Sequence, residues 1–98
     1  AGFVDATDTG AVRAALAGGA ACLWVESPSN PLMQVVDIAA LAALAHEAGA
    51  RLVVDGTFAT PALQQPLALG ADVVLHSATK YIGGHSDLMG GALVFAKL

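Results

Sequence analysis

The 98-residue chain reads as an α/β domain with a mostly parallel sheet and helices on both faces. Two observations predict that class. Short apolar runs of the kind found in strands covered on both sides recur at 21–25, 51–55 and 72–75. Between the first two lies an alanine- and leucine-rich stretch with Ile38, Leu41, Ala42, Ala45 and Ala48 on one helical face. Strand, helix, strand, short helix, strand calls for right-handed crossovers and parallel neighbours.

Taken in order, Gly2-Phe3-Val4 resembles the end of a strand. Asp8 or Thr9 caps a short helix carrying Val12, Ala15 and Leu16, which Gly18-Gly19 ends. The run 21–25 is a buried strand, and its Cys22 is expected to be a buried structural thiol in a reducing compartment. Pro28 and Pro31 stop that strand and force a turn. Asp37 caps a helix over 38–48, with Gly49 just beyond its end. A second strand covers 51–55, a loop 56–66, and one helical turn 67–69 before Gly70. The third strand, 72–75, leads into a polar cluster, and an apolar strand over 92–96 closes the chain.

The chain is 56% apolar and only 12% charged, about half the charged share usual for a soluble domain. Such a chain has little polar surface to cover it, which suggests the interior of something larger. The absent initial methionine and the end directly after a strand fit a fragment. Net charge is −4 and the four cations are scattered, which argues against nucleic acid as a partner. The apolar stretch 14–25 contains Gly18 and Gly19 and falls short of the ~20 residues that span a bilayer. No charged and apolar leader opens the chain, so neither a membrane nor secretion is expected.

Polar groups fall at three successive strand ends: Asn30, then Asp55, then Ser77, Thr79 and Lys80. In a parallel sheet those ends lie along one edge, where α/β folds bind ligands. Lys80 stands among small hydroxyl residues with no acid close in sequence, as an amine forming a Schiff base with an aldehyde cofactor would. Ser77 and Thr79 suit its phosphate, aided by nearby backbone amides. Asp55 suits a protonated pyridine nitrogen, although a carboxylate bonded to loop amides explains it equally well. A surface lysine and turn-capping hydroxyls are the plainer readings of the others. His76, His85 and Asp87 match no zinc spacing and have structural roles instead. His46 interacts with a helix dipole, and Met33 and Met89 pack in the core or at its rim. Neither G-x-G-x-x-G nor G-x-x-x-x-G-K-[ST] occurs, which disfavours a nucleotide-binding domain.

These residues also form a familiar pattern. Three motifs carry it: Glu26-Ser-Pro-Ser-Asn-Pro31, Val53-Val-Asp-Gly-Thr-Phe-Ala-Thr-Pro61 and Asp72-Val-Val-Leu-His-Ser-Ala-Thr-Lys-Tyr-Ile-Gly-Gly-His-Ser86, in that order along the chain. Together they resemble the pyridoxal-phosphate enzymes of cysteine and methionine metabolism: cystathionine γ-synthase, the cystathionine lyases, methionine γ-lyase and O-acetylhomoserine sulfhydrylase. The resemblance covers nearly the whole chain. It implies the fold-type I large domain, with residues 1–98 as its central part and the last strand as its single antiparallel one. It implies pyridoxal 5′-phosphate tethered by Lys80, with Asp55 on the pyridine nitrogen and Ser77 and Thr79 on the phosphate. Asn30 would face the phenolic oxygen or the substrate carboxylate, and Thr57 one face of the ring. The substrate would be a small sulfur amino acid, with C–S bond formation or cleavage at Cβ or Cγ, in a cytoplasmic homo-oligomer, a homotetramer. Gly56 departs from the family's usual asparagine, a local effect on the loop. The stacking aromatic, the glycine-led phosphate loop, the substrate-binding arginine and the neighbouring subunit's tyrosine and arginine have no counterpart in these residues. The isolated chain is therefore expected to turn over weakly or not at all, and a catalytically inactive cofactor-binding or interaction module of this fold is the alternative.

Overall fold

The computed structural model describes residues 2–29, 33–82, 84 and 89–96. Its sheet consists of β1 (Cys22–Glu26), β2 (Arg51–Asp55), β3 (Val73–Ser77) and β4 (Gly91–Phe95), side by side in chain order. The first three are parallel, and β4 runs antiparallel to β3. The predicted α/β class, the mostly parallel sheet and the antiparallel final strand are all present.

Two helices pack on this sheet. In α1 (Thr9–Ala17) Asp8 is the cap, its carboxylate accepting from the Ala11 amide at 3.1 Å. In α2 (Ile38–Glu47) Asp37 accepts from the Ala40 amide at 3.0 Å, and Gly49 follows at φ +75°. Val12 and Leu16 of α1 and Ile38, Leu41, Ala42, Leu44 and Ala45 of α2 share one core with Leu23, Val25, Leu52, Val54 and Val74. Leu41 and Leu52 are wholly buried, so truncating either to alanine costs about 2–5 kcal/mol. On α2 the buried stripe differs from expectation at two positions: Ala48 lies outside on the exposed end, and Leu44 belongs inside.

The strands alternate between buried and exposed positions instead of being buried throughout. Strand order β1-β2-β3 advances in one direction, and right-handed crossovers then place both connections on the same face. This chain therefore supplies one helical layer. The opposite face carries an apolar row in register, Trp24, Val53, Val73 and Phe95, with Trp24 58% and Phe95 48% exposed. Cys22 points to this face as an exposed thiol, which corrects its predicted burial. Met89 is likewise exposed, not packed, and Phe3 is solvent-facing in a segment that forms no strand.

Two further differences concern connections. The predicted loop 56–66 contains a single helical turn, α3 (Thr60–Leu63), with Pro61 in its first turn. The expected turn before Gly70 is a 3₁₀ helix, Pro66–Leu69. Gly70 adopts φ +110°, and a β-carbon there would stand 2.9 Å from the Ala42 Cβ, so only glycine lets this connection close on α2.

Asp72, the first residue of the lysine motif, anchors the other end of the sheet. Its Oδ2 accepts from the Leu52 amide at 2.7 Å and meets the His46 Nε2 at 2.7 Å. Arg51 lies 4.0 Å from Oδ1. Partial burial pushes this carboxyl up, but the Leu52 amide, His46 and Arg51 outweigh it and hold it below the ordinary carboxylate value. His46 thus has a specific partner beyond the helix dipole.

Candidate cofactor site at the strand ends

The parallel register Glu26↔Asp55↔Leu75 aligns the carboxyl ends of β1, β2 and β3. Asp55 ends β2 and is half-buried. The chain then turns tightly, and both the backbone amide and the hydroxyl of Thr57 donate to Asp55 Oδ1, at 3.1 and 2.6 Å. The same hydroxyl oxygen accepts from the Ser77 amide at 2.9 Å. Thr57, buried and hydrogen-bonded on both sides, thereby ties the end of β2 to the end of β3 and fixes the carboxylate between them. Among the described residues, Oδ2 of Asp55 accepts no hydrogen bond. The carboxylate is therefore bonded to its loop and still has one oxygen for a cation.

Ser77 is the last residue of β3 and not part of the loop, because the strand runs two residues further than its apolar run suggests. A π-helical turn, Ala78–Ile82, follows, and Lys80 breaks its helical geometry. Lys80 is exposed and has no ion-pair partner among the described residues. Thr79 is committed differently from Ser77: its hydroxyl accepts from the Gly90 amide at 3.0 Å and lies 3.4 Å from the Gly90 carbonyl oxygen. This joins the lysine turn to the start of β4. Asn30, His85 and Asp87 lie outside the described residues. On either side of residues 30–32, the Ser29 amide donates to the Gln34 carbonyl at 2.9 Å and the Gln34 amide to the Ser29 hydroxyl at 3.1 Å.

Beneath the site lies a residue whose place the sequence did not reveal. His76 is 4% exposed, and its Nδ1 has no hydrogen-bond partner among the described residues. A β-carbon at Gly56 would sit 3.2 Å from its Cε1, so the imidazole occupies the space a side chain at 56 would take. A cavity of about 330 Å³ opens alongside, lined by Gln64, Pro66, Val74, His76 and Val94 among others.

An amine, a carboxylate, a hydroxyl with no partner among the described residues, and backbone amides lie at the ends of adjacent parallel strands, a set chemically suited to an aldehyde cofactor that also carries a ring cation and an anion. Known proteins give this set its family. The sequence profile of the Cys/Met metabolism PLP-dependent enzymes matches residues 1–97. This chain belongs to that family. Cystathionine gamma-synthase of Escherichia coli is 61% identical over 92 residues, 94% of this chain and 24% of the relative. Cystathionine gamma-lyase of Bacillus subtilis is 50% identical over 94 residues, 96% of this chain and 25% of the relative. In three dimensions, cystathionine gamma-lyase from Lactobacillus plantarum, solved with L-serine, superposes with a TM-score of 0.95 at 46% identity, over 98% of this chain and 25% of that one. The chain thus spans about a quarter of the length of the relatives it matches. Pyridoxal 5′-phosphate is the cofactor of this family, and the residues at the strand ends suit it.

Proposed function

We propose that this chain is the central part of the large cofactor-binding domain of a trans-sulfuration enzyme. The whole protein would form or break a C–S bond at Cβ or Cγ of a sulfur amino acid. The observation that carries this reading is the Asp55–Thr57–Ser77 hydrogen-bond bridge, which sets a carboxylate and the Ser77 hydroxyl at neighbouring strand ends just before Lys80. Bound there, pyridoxal 5′-phosphate supplies an electron sink for the carbanion at the substrate's α carbon.

The chain's own residues then have separate tasks. Lys80 would hold the cofactor covalently through Nζ and would carry a proton to and from the substrate's carbon. Asp55, oriented by Thr57, would keep the pyridine nitrogen protonated through Oδ2, which accepts no hydrogen bond among the described residues. Ser77 and Thr79 would bind the phosphate, and Thr79 also holds the lysine turn through Gly90. By the family resemblance, Thr57 would lie against one face of the ring, and Asn30 would face its phenolic oxygen or the substrate carboxylate. A small amino-acid substrate fits the relatives solved with L-serine and with cystathionine. No helix among the described residues is long and apolar enough to cross a membrane. We place the whole protein in the cytoplasm as a homo-oligomer.

The test is covalent labelling. Borohydride reduction of the cofactor-loaded full-length protein, followed by peptide mapping, should place the label on Lys80, and Lys80→Ala should abolish it. A label on another lysine, or none, overturns the assignment.

A further inference from the structure

The turn after β1 and the connection after β2 are far apart in sequence, yet one side chain joins them. Gln64 stands at the end of α3, and its Nε2 donates to the Ser27 carbonyl at 2.7 Å across 37 positions. Ser27 is completely buried. Its amide donates to the Asp55 carbonyl at 3.1 Å, and its hydroxyl lies 3.4 Å from the Val36 amide. One peptide segment therefore takes a hydrogen bond from Gln64 on one side and gives one to the last residue of β2 on the other. The chain of contacts continues through the Asp55 carboxylate to Thr57 and the Ser77 amide. A buried carbonyl left without a donor is costly, so the strand tip would relax if Gln64 were lost.

We propose that Gln64 is a positioning residue for the cofactor site, holding the Ser27 segment so that Asp55 stays aligned with the end of β3. The inference rests on reading Asp55 as the ring-nitrogen partner. The Gln64 side-chain amide serves the main chain, and the residue also lines the cavity beside His76.

The experiment uses the full-length protein and pyridoxal 5′-phosphate, with the dissociation constant read from cofactor absorbance and folding read separately by thermal melting. Gln64→Leu keeps the bulk and removes the donor, and should raise the dissociation constant roughly tenfold, the equivalent of one hydrogen bond to a buried carbonyl. Gln64→Glu is the sharper variant, because a carboxylate cannot donate whereas a carboxylic acid can. Half-burial against a carbonyl oxygen raises this carboxyl above its ordinary value, so relative to the unsubstituted protein at each pH its affinity should be higher at about pH 5 than at about pH 8. A pH-independent ratio overturns the proposal. So does Gln64→Leu with a lowered melting temperature and unchanged cofactor affinity, which would leave Gln64 a purely structural role. Failure of the cofactor reading looks different: the unsubstituted protein would itself bind no pyridoxal phosphate, and the inference would end there.

Discussion

Thr57 shows how one hydroxyl can serve two loops. It donates to Asp55 and accepts from the Ser77 amide, using its single proton and a lone pair in opposite directions. Thr57→Val keeps the shape and removes both bonds, leaving a part-buried amide and a carboxylate oxygen without this partner. A loss of about 1–3 kcal/mol is expected. It should appear as weaker cofactor binding in a spectrophotometric titration and as a lower denaturant midpoint. An unchanged cofactor affinity would show that the carboxylate does not need this support. Gly56, next to it, has an equally local reason: His76 fills the adjacent space, and Gly56→Ala would press a methyl to 3.2 Å from the ring. The melting temperature of that variant should fall by a few degrees, with about 1–3 kcal/mol of overpacking to accommodate.

At the scale of elements, Asp72 links three. Its carboxylate, at the start of β3, receives the first buried amide of β2 and the histidine in the last turn of α2. Its pKa in the fold lies below the ordinary value near 3.8. The stabilisation is therefore complete above that ordinary value and is lost as pH falls through the lowered one. Acid unfolding should steepen below about pH 4, and Asp72→Asn should flatten that part of the curve in a circular-dichroism titration. An identical acid limb in both proteins would remove Asp72 from the account. Much at this scale was legible in the sequence. The strand 51–55, the Asp37 cap and the strand-end placement of Asp55 followed from apolar runs bounded by Asp and Gly, and Asp8 is one of the two residues offered for the first cap. What escaped was tertiary: α3 is one turn too short to show periodicity, Ser77 extends a strand beyond its apolar run, and the His46–Asp72 and Gln64–Ser27 contacts join residues 26 and 37 apart. Cys22 and Trp24 were read as interior because an apolar run does not say how many faces its own chain will cover.

For the whole molecule the uncovered sheet face is the main fact. Trp24 is 58% exposed in a row of apolar neighbours, while the chain spans about a quarter of its relatives' length. Taken alone, the 98 residues should show Trp24 fluorescence at the long wavelengths of a hydrated indole. In the full-length protein, the difference spectrum against Trp24→Phe should be shifted to the blue. Equal emission in both would mean that the face stays wet, and the proposed place of these residues inside a larger domain would be wrong.

β1 and β4 are the outer strands of this sheet, and each leaves one side of its backbone without a ladder partner among the described strands. β4 is Gly-Ala-Leu-Val-Phe, uncharged and exposed along its length. Such a margin is a template for stacking copies end on end into fibrils. Excising these residues should therefore yield a thioflavin-positive precipitate, and Val94→Lys, a charge on that margin, should delay its onset.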